Sequence, residues 1–387
     1  MVVVDGMADF PLADLGMKTP LEAAEAENFN QIAAMGSSGM MDPVSRLVAP
    51  GSDVAHLAIL GYDPEKNYTG RGPLEAAGSG IELGSGVAYR CNICELSPED
   101  LILDERVIFK DKVLEEAINR ACSEVFESKK VLFKHTATYR GILVLQGEGI
   151  SQAVRTQQPR RNAKLTNPEA VSCDPNINAT AEILRRFMRL SEKVLSRYSN
   201  GRKRYVIIPW GGGVRPCLKN FSEIHGLKAA GIAGVPLIKG ICKLCGFDLI
   251  DVPGATDGPD TDLMAKAHAA LKALEEHDFV LIHVEGTDEL SHDGDITRKV
   301  EMIRKVDTML GAIMDRVDFD ETRIAILSDH TTSSKFRSHT ADPVPVAIAG
   351  GGYPVDGVKE YSEKGCWRGG LGRFSGRDFL PIFLTKR

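Results

Sequence analysis

No run of eighteen or more apolar residues occurs in the 387-residue sequence, and its opening residues lack both the basic n-region and the long apolar core of a secretion signal. These absences lead us to expect a soluble, cytoplasmic protein with no membrane partner. Nor is there a surplus of positive charge. Lysine and arginine number 47 against 53 aspartates and glutamates, a net charge of −6, which argues against nucleic acid as the main partner. The expected partner is a small molecule, and an anionic one would need a local cluster of Arg and Lys. Whether the chain forms a homo-oligomer is left open. Also missing are a G-x-G-x-x-G fingerprint, a Walker lysine and the G-x-S-x-G elbow of α/β-hydrolases, so the glycine-rich residues 70–86 read as a loop and domain boundary. No internal repeat is apparent.

Cysteine is present but modest, eight in all, with two C-x-x-C pairs at Cys91/Cys94 and Cys242/Cys245. A paired zinc ribbon is the sharper reading. The surroundings favour packing instead. Tyr89-Arg-Cys-Asn-Ile-Cys-Glu95 alternates like a strand, and Gly240-Ile-Cys-Lys-Leu-Cys245 fits the inner face of a helix, where a free thiol acts as a small hydrophobe.

With 43% hydrophobic and 26% charged residues, the chain is long enough for two globular domains. Strand-like runs at residues 2–4, 226–233, 248–252, 279–284, 323–327 and 345–349 alternate with helical runs at 20–28, 53–60, 236–245, 260–277 and 295–317. This is the α/β pattern of a mostly parallel sheet sandwiched by helices. Between them the character changes, with strands at 141–145 and 204–209, a helix over 178–198 and an Arg-rich loop over 155–164. We therefore expect a discontinuous core domain, 1–86 and 222–387, interrupted by a smaller α/β (α+β) insert, 87–221.

The richest chemistry lies in Val284-Glu-Gly-Thr-Asp-Glu-Leu-Ser-His-Asp-Gly-Asp295, then Ser328-Asp-His-Thr331 and His339. Asp288, His292, Asp329, His330 and His339 are hard-to-borderline donors suited to divalent metals. Asp5 and Ser52 are upstream candidates. Taken singly, an Asp after a strand is more often a cap or turn residue, and a His more often a satisfied surface or core group. Position argues for more. Asp5, Asp288 and Asp329 each follow a strand-like run, and the carboxyl ends of strands form the ligand crevice of open α/β sheets. Asp288 and His292 are spaced to share one helical face. Ser52 opens an apolar helix, where a hydroxyl is an N-cap or a phosphoryl carrier beside unpaired backbone N–H groups. His56 falls on the same side of that short helix with no acid to orient it, which disfavours a serine–histidine triad. Seven donors suffice for two metals, and two metals with one hydroxyl suit phosphoryl transfer.

The chain resembles the archaeal-type, cofactor-independent phosphoglycerate mutases of the alkaline phosphatase superfamily over nearly its whole length. The likeness is carried by Val4-Asp-Gly6, Gly51-Ser-Asp-Val-Ala-His56, Tyr68-Thr-Gly-Arg-Gly-Pro-Leu-Glu-Ala76, Arg90-Cys-Asn92, Gly226-Leu-Lys-Ala-Ala230, Thr287-Asp-Glu-Leu-Ser-His-Asp-Gly294, Ser328-Asp-His330 and His339-Thr-Ala-Asp-Pro-Val-Pro345. The resemblance implies that Asp5, Ser52, Asp329 and His330 bind one metal and Asp288, His292 and His339 the other. The ions would be Mn²⁺ first, with Zn²⁺, Co²⁺ or Mg²⁺ as alternatives, and 2,3-bisphosphoglycerate would not be needed. Ser52 would take the phosphoryl group of 3-phosphoglycerate and return it to the 2-hydroxyl of the retained glycerate. Retention needs cations for the carboxylate and a pocket that excludes water. The candidates are Arg90, Asn92, Arg140, Arg155, Arg215 and Lys239, most of them in the insert.

The likeness is weaker in two places. Val171-Ser-Cys-Asp-Pro175 only partly matches the family segment bearing Asp and His, which leaves Asp174 and His135 as the candidates for proton transfer to the glycerate oxygens. Residues 331–338, with Lys335 and Arg337, have no chemical reading. A metal-dependent phosphatase or phosphonate hydrolase would share the same ligands, and a binding protein on the same scaffold would be expected to have lost one.

Overall fold

The structure, a computed structural model, describes the chain apart from residues 45–49, 110–112, 127–129, 199–202 and 386–387. It divides into two compact units, Met1–Tyr68 with Leu218–Arg387, and Thr69–Cys217. The breaks fall near 68 and 217 rather than 86 and 221. The cause is that residues 70–86 are not a loop throughout, because Arg71–Gly78 is a helix of the second unit and only the stretch after it is irregular. Its Ala76 packs with Ala88, Ile142 and Val144. Gly72 serves close approach rather than a turn, since a Cβ there would lie 2.2 Å from the Ala88 carbonyl oxygen.

In the first unit an eight-stranded sheet runs Asp248–Leu249, Ala229–Ile232, Phe279–Val284, Val2–Val4, Arg323–Leu327, Val344–Gly350, Gly36–Asp42, Gly372–Ser375. Val344–Gly350 is antiparallel to both of its neighbours, and every other pairing is parallel. Apolar side chains of the central strands, among them Val2, Val4, Ile282 and Ile326, pack with Phe29, Ile303 and Leu310 from the helices. Strands buried on both faces read as continuous apolar runs, which is why Phe279–Val284 stands out in sequence.

Two strands departed from that pattern. Gly36–Asp42 contains no β-branched or aromatic residue, yet it is wholly buried and laddered on both sides. Gly372–Ser375 lies at the sheet edge next to it and leads into the helix Gly376–Leu384. The helix expected over 20–28 is two helices. Pro20–Ala24 begins in a reciprocal Thr19/Glu22 capping box and stops where Glu25 turns left-handed at φ 53°, and Glu27–Met35 starts afresh.

The second unit is built on the ten-residue strand Val87–Leu96, antiparallel to Arg140–Gln146 and Arg204–Val214. Lys130–Ala137 and Ile102–Asp104 complete a five-stranded sheet. Alternation along Val87–Leu96 sends Tyr89, Cys91 and Ile93 into a core with Ile118, Leu184 and Phe187 of the helices Leu114–Val125 and Pro175–Leu195. Arg90 and Asn92 therefore lie on the other face. Cys91, Cys94, Cys242 and Cys245 are buried free thiols, and burial raises the pKa of each. They are packing residues.

Candidate metal centre

The three central strands, Phe279–Val284, Val2–Val4 and Arg323–Leu327, are parallel neighbours, so their carboxyl ends emerge on one edge of the sheet. Val2–Val4 delivers Asp5. Phe279–Val284 leads into the helix Gly286–Asp293, which carries Asp288 and His292 one turn apart, and Arg323–Leu327 ends in Ser328, Asp329 and His330. His339 joins them from the strand Ser338–Thr340, where it pairs in register with Thr332 of Thr331–Ser333. Ser52 is the first residue of the helix Ser52–Ile59 and is nearly buried. The tight turn after Asp5 depends on Gly6, at φ +59°. A Cβ there would lie 2.5 Å from Thr332 Oγ1 and 2.6 Å from Asp288 Oδ1.

All seven donors gather in one place. His330 Nε2 lies 3.1 Å from Ser52 Oγ, 3.3 Å from Asp5 Oδ1 and 3.3 Å from Asp329 Oδ2. His292 Nε2 is 3.4 Å from Asp288 Oδ2, His339 Nε2 is 3.4 Å from Asp288 Oδ1, and the two imidazole nitrogens are 3.1 Å apart. The halves meet through Thr332, whose hydroxyl donates to Asp288 Oδ1 at 2.7 Å.

The hydrogen bonds also fix the tautomers. Asp288 is held well below the usual carboxylate range; burial alone would raise it, and His292 and His339 overcome that. It is therefore an acceptor, the Thr332 proton is committed to it, and His330 Nδ1–H must donate to Thr332 Oγ1 at 3.0 Å. His292 Nδ1 donates to the Arg337 carbonyl at 2.9 Å, and His339 Nδ1 to that of Pro50 at 2.8 Å. Each imidazole thus turns a basic Nε2 toward the carboxylates, the arrangement by which outer hydrogen bonds orient histidine ligands.

This donor set suits cations. Asp5 Oδ1 and Asp329 Oδ2 are buried without a hydrogen-bond partner, and the facing Nε2 atoms of His292 and His339, 3.1 Å apart, need a proton or a metal ion between them. Burial, then Asp288, pushes Asp329 up to about 7, and burial, then Asp329, raises Asp5 well above the ordinary range. Burial, then His339, lowers His330. The ligand atoms of Asp5, Asp329 and His330 lie within 4.8 Å of one another, as do those of Asp288, His330 and His339. Carboxylate oxygen, imidazole nitrogen and a hydroxyl are donors that Mn²⁺ and Zn²⁺ accept.

Sequence reasoning missed one residue of this cluster. His283, in the otherwise apolar strand Phe279–Val284, is fully buried, with Nε2 3.1 Å from Asp5 Oδ2 and 3.8 Å from Glu285 Oε2. A histidine inside a buried strand requires a polar partner, and that was the available signal. His56 is also fully buried, but its Nδ1 donates to the Ser52 carbonyl at 2.8 Å rather than facing Oγ, so it is no base for the hydroxyl.

The remaining candidates are spread through both units. Lys239 lies half-buried on the helix Pro236–Leu244 of the first. In the second, Arg90 is buried and ion-paired with Glu75, Asn92 donates to the Glu105 carbonyl at 2.9 Å, and Arg140 Nε donates to Tyr139 Oη at 3.2 Å. Arg155 and Arg215 are exposed. His135 Nε2 donates to the Thr138 carbonyl at 2.9 Å. Asp174 caps the helix Pro175–Leu195, its Oδ1 accepting from Asn176 N at 2.7 Å.

The sequence model of the metalloenzyme superfamily matches residues 1–386, and the chain belongs to that superfamily. It is 40% identical to the 2,3-bisphosphoglycerate-independent phosphoglycerate mutase of Methanopyrus kandleri, over 99% of this chain and 94% of that one. It is 39% identical to 2,3-bisphosphoglycerate-independent phosphoglycerate mutase 1 of Methanothermobacter thermautotrophicus, over 99% and 96%. Within the superfamily it is thus a member of the 2,3-bisphosphoglycerate-independent phosphoglycerate mutase family. Among solved structures, a Pyrococcus horikoshii protein superposes with a TM-score of 0.81 at 32% identity, covering 100% of this chain and 97% of that one. The cofactor-independent phosphoglycerate mutase of Thermoplasma acidophilum gives 0.64 at 28%, covering 99% and 97%.

Proposed function

We propose that this chain is a 2,3-bisphosphoglycerate-independent phosphoglycerate mutase, an isomerase that interconverts 3-phosphoglycerate and 2-phosphoglycerate through a phosphorylated Ser52. The observation that carries the reading is the nearly buried Ser52 hydroxyl, at the start of a helix and 3.1 Å from His330 Nε2, within a cluster of three carboxylates and three oriented imidazoles. Family membership supports it. We assign Asp5, Ser52, Asp329 and His330 to one divalent cation and Asp288, His292 and His339 to a second, with Mn²⁺ the first choice. Such ions supply Lewis acidity, which lowers the pKa of the serine hydroxyl and offsets charge on the phosphoryl oxygens. A cytoplasmic location belongs to the same proposal.

The chain's own groups carry the remaining steps. Ser52 Oγ gives up its proton and attacks phosphorus, the bond to the substrate's 3-oxygen breaks, and that oxygen leaves with the electron pair and takes up a proton in turn. The 2-hydroxyl oxygen then attacks the phosphoserine and loses its proton, and Ser52 Oγ departs. Backbone N–H groups at the start of Ser52–Ile59 are suited to donate to the phosphoryl oxygens. Arg90, Arg140 and Lys239 are our principal candidates for holding glycerate between the steps, with Arg155 and Arg215 as outlying cations. His135 keeps Nδ1 as its basic nitrogen and remains the candidate proton carrier, whereas the carboxylate of Asp174 is occupied as a helix cap. Incubating metal-loaded protein with 3-phosphoglycerate tests the reading. We expect 2-phosphoglycerate with little inorganic phosphate, and release of phosphate alone would overturn it in favour of a phosphatase.

A further inference from the structure

Strand alternation sets His283 beside Asp5. Val2 and Val4 of one central strand and Ile282 and Val284 of its neighbour belong to the same apolar core, so Val3, Asp5 and His283 lie on the opposite face, where His283 is the register partner of Val3. His283 Nδ1 is buried without a hydrogen-bond partner, which places the ring proton on Nε2, 3.1 Å from Asp5 Oδ2. Nε2–H therefore donates to that oxygen. The other oxygen of the carboxylate, Oδ1, has no hydrogen-bond partner and lies 3.3 Å from His330 Nε2, which is itself 3.1 Å from Ser52 Oγ. A carboxylate with both oxygens free can rotate or offer both to an ion, and a fixed donor on one of them leaves a single oxygen to bind.

The imidazole is held in turn. Its backbone carbonyl accepts from Lys266 Nζ at 2.9 Å, and Lys266 is only 1% exposed. Its ring meets that of His56 edge-on, with centroids 5.0 Å apart, and His56 Nδ1 donates to the Ser52 carbonyl. His283 is thus wedged between Asp5 and the helix that carries Ser52. The ligand atoms of Asp5, His283 and Glu285 also lie within 4.8 Å of one another, a spacing that a separate cation could use. Two features oppose that use: Nε2 carries a proton, and Glu285 already has the buried Lys266 ammonium as its attracting charge.

We infer that His283 is a positioning residue of the metal centre, whose Nε2–H holds Asp5 Oδ2 so that Asp5 presents Oδ1 alone to the cation on the Ser52 side. The inference rests on the assignment of Asp5, Ser52, Asp329 and His330 to one cation under the proposed function, and adds which oxygen of Asp5 binds and what selects it. It does not require the mutase reaction.

The test strips the full chain of metal with a chelator and titrates it with Mn²⁺ by calorimetry, with metal content checked by elemental analysis. His283→Leu removes the donor and should weaken one of two Mn²⁺ sites about ten- to hundredfold while sparing the other. Combined with His292→Ala, it should weaken both sites, since the two residues serve different ions. His283→Gln, whose amide N–H reaches as far as Nε2, should restore most of the affinity, whereas His283→Asn, one bond shorter, should not. That last pair carries the test should His283→Leu fail to fold. Unchanged Mn²⁺ affinity in folded His283→Leu protein overturns the inference, as does equal weakening of both sites, or glutamine behaving no better than asparagine. A third equivalent of Mn²⁺ in unaltered protein that disappears in His283→Gln would overturn it too, by making His283 a ligand. Unaltered protein that binds no divalent ion overturns the metal assignment and this inference together. Unaltered protein that binds two ions but makes no 2-phosphoglycerate overturns the mutase reading alone, and the comparison of variants still decides the role of His283.

Discussion

The buried polar cluster of the first unit and that of the second face opposite electrostatic problems. Around Ser52, carboxylates crowd together with orphaned oxygens; in the second unit the guanidinium groups of Arg71 and Arg90 both donate to Glu75, and Arg90 Nε is left without a hydrogen-bond partner. The two sites relieve the strain differently because their groups titrate differently. Aspartates can take up protons, and Asp329 does so up to about 7. Arginine cannot shed its proton in any ordinary pH range, so relief must be built in, and Glu75 is that built-in counter-ion. One cluster therefore waits for cations in competition with protons, while the other carries its counter-ion within the fold at any working pH.

The sharpest way to break the contrast is at the hydroxyl that the first cluster surrounds. Ser52→Ala should cut mutase turnover by about 10⁴-fold or more while leaving the fold and its melting temperature intact. Activity within a few-fold of the unaltered protein would remove Ser52 from the mechanism. His292→Ala should lower kcat by about 10²- to 10³-fold and cost one equivalent of metal by elemental analysis. Normal metal content would contradict the assignment of its Nε2.

Proton competition at the first cluster gives a pH signature. Asp329, with its pKa raised, stabilises the metal-free fold below the ordinary aspartate range, and that contribution is lost as pH rises through about 7. Metal needs the ionised carboxylate, so the gain in melting temperature on adding Mn²⁺ should be small at pH 5 and grow toward pH 8. A gain that stays constant across that range would mean that the carboxylates are not ligands. The smallest effect should come from Asp174→Ala, which removes a helix cap in the second unit at a cost of about 1 kcal/mol and leaves kcat/KM unchanged. A tenfold fall in kcat without loss of stability would return Asp174 to proton transfer.

Much of the first cluster could be read from sequence because its donors follow apolar strands, and apolar strands announce themselves. Asp5, Asp288 and Asp329 each sit just beyond one. His283 was hidden by the same feature, since a histidine within an apolar run gives no periodic signal. The second cluster was only half visible. Arg71 and Glu75, like Arg90 and Asn92, fall in family-matching stretches, but the helix that carries Arg71 and Glu75 is disguised by glycines, and Trp210 meets Arg90 only through strand pairing with Val87–Leu96. Gly36–Asp42 shows the same limit, because its place in the sheet comes from its neighbours rather than from its own glycines and serines.

Val2–Val4 pairs with Phe279–Val284 on one side and Arg323–Leu327 on the other. During synthesis on the ribosome, Asp5 must wait for the stretch through His330 to emerge before its neighbours exist, while Thr69–Cys217, one unbroken segment, can fold in the interval. The nascent chain would thus hold a folded second unit before it could capture a metal ion, and loading would be a late event in the protein's maturation.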